Sequence, residues 1–301
     1  MTDRRLYDVD RDGRRAAPVE RLADAHVHFR GDTEELESLL DISRKYNVEY
    51  LFIICPFGNR DAVGILEKYE SMGERIIPLC RINMEDNDPD SIDRAYDAGF
   101  WGIKCISPSH SYDNRFYDPL YERAQDKGMP LLFHTGILAK NDQTYSAGSG
   151  MSLMRGDTLD TVATRFPELL IQGAHLGCPN ITEAVQACVY SPNLVWDTSG
   201  GCRHILEKNP ALLSAALNHH SELWNSIMWA TDISSPFFRP EYADGWPNCY
   251  EYFLAYWQVV MSKIDPVPDT EQLDGFFCGN AERWVERIRK LRSKAAGIAG
   301  G

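Results

Sequence analysis

"RLADAHVHFRG", residues 21–31, places His26 and His28 one residue apart near the end of an apolar run. Side chains alternate along a strand, so Asp24, His26 and His28 are expected on one face. Two imidazoles held this close either meet a cation or repel on protonation. The segment that follows, "DTEELESLLDISRKYN", carries Leu36, Leu39 and Leu40 at helical spacing. Asp32 is placed to cap it, with Glu35 three residues on. A strand that ends in histidines and feeds a helix is one β/α unit.

The same order recurs along the chain. "VEYLFIICP" reads as a second strand, with a helix over 61–72, and "RIIPLCRIN" as a third, with a helix after Pro89. "FWGIKCIS" is the fourth strand, followed by a helix near 116–127, and "MPLLFHTG" is the fifth. A Gly- and Ser-rich loop then runs from Gly136 to Gly156, ahead of a helix bearing Leu159, Val162, Ala163 and Phe166. "ELLIQGAH", "NLVWDTS" and "SIMWATD" supply strands six to eight, with helices near 181–190, 205–220, 249–262 and 280–293. Strands alternating with helices pair in parallel through crossovers. Eight units predict an α/β fold, a single-domain (β/α)8 TIM barrel spanning 21–293. A polar extension over 1–20 precedes it and a flexible tail over 294–301 follows. No G-x-G-x-x-G turn follows any strand, which argues against an open dinucleotide-binding sheet.

The 301 residues carry a formal charge of −13, which disfavours nucleic acid as a partner because phosphate contacts need clustered Lys and Arg. The eight cysteines form no C-x-x-C pair and sit mostly in apolar runs, the pattern of free thiols in a reducing cytoplasm. No apolar run is long enough to span a bilayer, and no signal-peptide core is evident at the N-terminus. The expected partner is a small molecule, and the aromatic C-terminal third offers surface for a homo-oligomer.

The ionisable residues fall where a barrel would use them. His26 and His28 end strand one, Lys104 lies in strand four, His134 ends strand five, His175 strand six and Asp232 strand eight. Parallel strands open on one face, where barrel enzymes build their sites. Four of the eight histidines gathering there with a carboxylate suit Zn²⁺, with Mn²⁺ or Fe²⁺ as alternatives.

The ordered motifs "DAHVHF", "GFWGIKCISP", "PLLFHTG", "AHLG", "DTSG", "ATD" and "GNAERW" resemble the metal-dependent amidohydrolase superfamily, most of all its amidohydrolase-2 branch of hydrolases and decarboxylases. The resemblance spans roughly residues 22–287. It implies that His26, His28, His134 and Asp232 bind the metal, and that His175 ligates it, binds a second ion or polarises substrate. In hydrolytic members a metal lowers the pKa of water and the last-strand aspartate takes its proton, which assigns catalysis to Asp232 and His175. Lys104 is either a carbamylated bridge between two ions or a contact to substrate, and one ion is favoured. The branch often shows "KLHP" where this chain reads "KCISP", so the loop after strand four is reshaped.

The leading expectation is hydrolysis of an amide, lactone or ester-like bond in a small carboxylate-bearing substrate. The alternative is non-oxidative decarboxylation of an aromatic or enol-type acid. Arg30, Arg81, Arg155 and Arg203 are candidate carboxylate forks, with Arg81 preferred because strand ends aim at the pocket. Trp196 reads as pocket wall or core, Asp197 as support for the ligands, and the loop over 136–158 as a lid. Asp24 is expected to support the metal site or the barrel interior. Cys178 lacks an adjacent base, and no G-x-S-x-G, P-loop or H-E-x-x-H occurs.

Overall fold

In the computed structural model, β1 (Leu22–His28), β2 (Val48–Cys55), β3 (Ile76–Arg81), β4 (Gly102–Cys105), β5 (Leu131–Phe133), β6 (Ile171–Gly173), β7 (Leu194–Asp197) and β8 (Ile227–Met228) form one sheet in sequence order. Every neighbouring pair is parallel. The structure describes residues 19–30, 33–56, 64, 75–138, 150–200, 202–218, 220–233 and 249–297. The predicted helix over 61–72 (apart from residue 64), the Asp32 cap and residues 139–149 of the proposed lid lie outside these. The β8–β1 seam is drawn shut by backbone hydrogen bonds: Ala25 N to Trp229 O at 3.2 Å, Asp232 N to His26 O at 2.8 Å and His28 N to Ile233 O at 2.8 Å. The result is a nearly closed (β/α)8 barrel.

Among the described residues the α-helices are α1 (Thr33–Lys45), α2 (Asp90–Asp97), α3 (Asp118–Asp126), α4 (Thr158–Arg165), α5 (Ile181–Gln186), α6 (Cys202–Lys208), α7 (Ala211–Leu217), α8 (Cys249–Met261), α9 (Thr270–Asp274) and α10 (Asn280–Ala295). The helix expected over 205–220 is two, because Pro210 stands as the N-cap of α7 and has no N–H to continue the first. The sequence reading missed α9, although "DTEQ" is its capping box: Asp269 accepts from Gln272 N, and the Gln272 side chain accepts from Asp269 N. None of the described helices is long and apolar enough to cross a membrane.

Two packed layers hold this frame. Inside, Ala23, Phe52, Ile77, Leu132, Leu170, Val195 and Met228 pack with Trp284, Val285 and Ile288 of α10. At the same end Arg21 bonds Glu49 and Glu282, joining β1, β2 and α10. Outside, strand residues of the opposite parity meet the helices. Trp196 belongs to this outer layer and is fully buried, so it is core and does not wall the pocket. Its ring lies over Gly173, where an added Cβ would stand 2.0 Å from Cζ3.

One expectation about β1 fails. Asp24 pairs with Leu51 and Val27 with Ile53, three steps on β1 against two on β2. This β-bulge inserts an extra residue and breaks the alternation. His26 and His28 therefore face the barrel axis, whereas Asp24 faces the helical layer. There its carboxylate accepts from Thr231 N at 3.0 Å, Thr231 Oγ1 at 2.6 Å and the Tyr250 hydroxyl at 2.8 Å.

Candidate metal centre

The side chains gathered at the C-terminal end of the barrel come from six strands or the turns just beyond them. His26 and His28 stand on β1 past the bulge, Lys104 on β4, and His134 directly after β5. Asp197 ends β7. The strands β6 and β8 stop earlier than the sequence reading placed them, at Gly173 and Met228. His175 and Asp232 lie beyond, each with φ of 61°. That left-handed conformation is uncommon outside glycine and marks backbone re-aimed at a site. The turns are held because His175 N donates to Asp197 Oδ1 at 3.1 Å and Asp232 N to His26 O at 2.8 Å.

The inward atoms converge. Asp232 Oδ1 lies 3.2 Å from His26 Nε2 and 3.0 Å from His28 Nε2. Lys104 Nζ lies 3.2 Å from His26 Nε2, and His134 Nδ1 faces His175 Nε2 at 3.1 Å. The His26 and His175 rings stack with centroids 5.4 Å apart, which joins the two groups. Gly200 permits this approach. With φ of 63°, a Cβ there would stand 2.5 Å from His175 Nδ1 and 3.1 Å from Asp232 Oδ2.

The outward nitrogens decide where the ring protons sit. His26 Nδ1 meets Asp197 Oδ2 at 3.0 Å, and His134 Nε2 meets the Ile137 carbonyl at 3.2 Å. His175 Nδ1 meets Ser199 Oγ at 2.8 Å, and that hydroxyl donates to Asp197 Oδ1. A carbonyl and a carboxylate only accept, and a hydroxyl that has donated its proton accepts too, so each ring donates on its outward side. His26 Nε2, His134 Nδ1 and His175 Nε2 are then left with lone pairs turned inward beside a carboxylate. Spacings near 3 Å suit neighbouring ligands on a cation with bonds of about 2.0–2.2 Å. These residues fit a divalent metal. A second grouping, His26, His175 and Asp197, also has metal-like spacing, but the Ser199 hydroxyl fills its centre.

Burial, followed by the Lys104 charge, brings His26 down to about 4. Burial also drives His134 well below the usual imidazole range and lowers His175. The rings are therefore neutral and able to ligate at neutral pH. Burial lowers Lys104 to about 8, with Asp197 and Asp232 opposing the shift. Burial acts against the charge on Asp232, but the rings of His26, His28 and His175 hold its carboxyl well below the ordinary value. Asp197 is likewise held low against burial by His26, His175 and Lys104.

These shifts set the acid response of the metal-free protein. As pH falls through 6.5, the unfolded chain gains imidazole protons that folded His26 refuses until about 4, and folded His134 and His175 resist in the same direction. Asp24, raised by burial to about 7, works the other way with one proton. Three imidazoles outweigh one carboxyl, each group contributing up to about 1.4 kcal/mol per pH unit. Stability is expected to fall between pH 6.5 and 4, read by chemical denaturation at fixed ionic strength. A flat or rising profile would contradict the assigned protonation.

The arginine candidates separate. Arg81 ends β3 beside Lys104 across the β3–β4 pairing and is half-buried, and its side chain has no hydrogen-bond or ion-pair partner among the described residues. Desolvation alone lowers its pKa. Arg155 is instead bound on the surface by Asp157 at 2.8 Å and Glu183 at 3.2 Å, because both carboxylates sit beside its fork. The Arg30 residue is exposed, and its backbone N–H donates to Glu35. The Arg203 side chain lies outside the described set. Ser199 and Gln172 were missed. Ser199 stands two residues after Asp197 within "DTSG", while Gln172 interrupts an otherwise apolar strand, a signal of a buried polar task.

A parallel (β/α)8 barrel that gathers neutral imidazoles and a carboxylate at its C-terminal mouth defines the metal-centred barrel enzymes. Residues 23–287 match the amidohydrolase-2 family model, described as Amidohydrolase, and the chain belongs to that family. No curated protein matches the chain in sequence. Among solved structures, a probable 2-pyrone-4,6-dicarboxylic acid hydrolase from Acinetobacter baumannii, with citric acid bound, is 11% identical. The match covers 88% of this chain and 99% of that one, with a TM-score of 0.59. The 5-carboxyvanillate decarboxylase of Sphingomonas paucimobilis is 15% identical, with coverage of 89% and 99% and a TM-score of 0.55. An amidohydrolase from Burkholderia multivorans with bound zinc is 13% identical, with coverage of 88% and 99% and a TM-score of 0.58.

Proposed function

We propose that this protein is a metal-dependent hydrolase cleaving an amide, lactone or ester-like bond of a small carboxylate-bearing substrate. The observation that carries the reading is Asp232. Its Oδ1 borders both His26 and His28, while 29% of the side chain stays exposed, so one carboxylate faces both the cation site and solvent.

His26, His28, His134 and Asp232 would hold the cation, with His175 beside it. A bound Zn²⁺, Mn²⁺ or Fe²⁺ acidifies water and polarises a carbonyl. Asp232, ionised, accepts the proton of the attacking water and returns it to the leaving group. His175 carries its proton toward Ser199, so its Nε2 serves as ligand or acceptor and does not donate to substrate. One ion is favoured because the second histidine–carboxylate grouping already encloses the Ser199 hydroxyl. Arg81 holds the substrate carboxylate, since a half-buried guanidinium with no carboxylate partner among the described residues gains most from an anionic ligand.

The test is a panel of small lactones, N-acyl amino acids and phenolic carboxylic acids turned over in ¹⁸O-water by the metal-loaded enzyme. One ¹⁸O per product without CO₂ supports hydrolysis; CO₂ without ¹⁸O assigns decarboxylation and overturns the proposal. With the substrate found, Arg81→Met is expected to cut kcat/KM by about 10–100-fold, mostly through KM, in line with loss of a charge-assisted pair of about 1.5–3 kcal/mol. A neutral analogue should lose far less. Equal losses for both would remove Arg81 from carboxylate recognition.

A further inference from the structure

We infer that Asp197 is a positioning residue that sets the tautomers of two histidines at once, turning the lone pairs of His26 Nε2 and His175 Nε2 toward the cation site. The inference rests on the metal-centre reading and adds to it a device buried behind the ligands.

Asp197 is fully buried at the end of β7 and is surrounded by donors. Its Oδ2 accepts from His26 Nδ1 at 3.0 Å and from Gln172 Nε2 at 2.9 Å. Its Oδ1 accepts from His175 N and Ser199 N, each at 3.1 Å, and from the Ser199 hydroxyl. Gln172 cannot reverse its amide without cost, because the same Nε2 also donates to Ala25 O at 2.9 Å. Each bond therefore has a fixed direction. The His26 proton must lie on Nδ1. Ser199 gives its proton to Asp197, so its oxygen accepts from His175 Nδ1–H. One carboxylate thus specifies one ring directly and the other through a hydroxyl.

The isosteric amide exposes what the charge does. In Asp197→Asn the amide oxygen must stay with the backbone N–H groups of His175 and Ser199, which have no other orientation. The amide NH₂ then points at His26 Nδ1 and turns it into an acceptor. The ring proton moves to Nε2, the nitrogen that faces Asp232 and Lys104, and that nitrogen can no longer ligate. Ser199→Ala removes the partner of His175 Nδ1 and a longer 3.2 Å contact to His26 Nδ1, which stays bound to Asp197 at 3.0 Å.

The test starts with native protein labelled with ¹⁵N at histidine and freed of metal by chelation. Two-bond ¹H–¹⁵N spectra near neutral pH are expected to show His26 and His175 with the proton on Nδ1. A proton on Nε2 of either ring overturns the assignment. Asp197→Asn should move His26 to the Nε2–H form and weaken Zn²⁺ binding about 10–100-fold by chelator competition, the usual cost of losing a ligand's hydrogen-bond partner. Ser199→Ala should change the tautomer of His175 and leave His26 in the Nδ1–H form. A folded Asp197→Asn protein that keeps native Zn²⁺ affinity overturns the proposal. If that variant does not fold, the native spectra and Ser199→Ala decide. Native protein that binds none of Zn²⁺, Mn²⁺ and Fe²⁺ yet shows both Nδ1–H rings would refute the metal centre and leave the tautomer assignment standing.

Discussion

Asp232→Asn is expected to lower kcat by about 10³-fold, within the span that general acid–base residues contribute, with KM changing little. The amide can still offer its oxygen to a cation, but it cannot take up a proton at neutral pH. The position makes this loss hard to cover. His28 Nε2 lies 3.0 Å from the same carboxylate and belongs to the proposed cation site with it, so it does not stand free as a base. Asp197 is fully buried behind His26 with five donors around it, so it is shielded from water. Metal content should be measured beside kcat. A variant that keeps its metal and loses turnover isolates the proton step, whereas kcat within tenfold of native would remove Asp232 as the base.

The barrel was legible because its strands carry apolar side chains on both faces, and because, Asp24 apart, a histidine, lysine or aspartate interrupts them only near the C-terminal end. Where reading by alternation failed, the cause was local backbone geometry. The bulge in β1 leaves no compositional mark in "LADAHVH", since neither Gly nor Pro stands at it. Asp24 was therefore placed with the histidines when it serves the helical layer, bonded to Thr231 and Tyr250. His175 and Asp232 were identified as site residues but assigned to strands, whereas left-handed turns present them. Trp196 illustrates the parity rule working unnoticed: it alternates with Val195 and Asp197, so once Asp197 faces inward the indole must face out. The Asp197 network could be suspected from "DTSG" and from Gln172, but its directionality depends on which acceptor lies behind each ring. Only coordinates supply that.

Removing metal should abolish turnover, with kcat/KM falling to the uncatalysed background, and one equivalent of Zn²⁺ or Mn²⁺ should restore it. The physical reason is the donor set. Without a cation, the inward lone pairs of His134 and His175 face each other at 3.1 Å, and Lys104 meets His26 with no metal to share that nitrogen. Nothing in that arrangement acidifies water, since Lys104 is engaged with His26 and Asp232 can accept a proton but cannot polarise a carbonyl. The same lone pairs should make binding a stability event: a ligand held only by the folded state, at 100 times its Kd, adds about 2.7 kcal/mol. Thermal unfolding of chelated and reloaded protein reads this independently of any substrate. Stabilisation that saturates at one equivalent, together with recovered turnover, fits the single-ion reading; saturation at two would make Lys104 and His175 ligands to a second ion. Full activity in protein verified as metal-free would end the metal-dependent reading, because none of the described side chains at this end of the barrel replaces the missing Lewis acid.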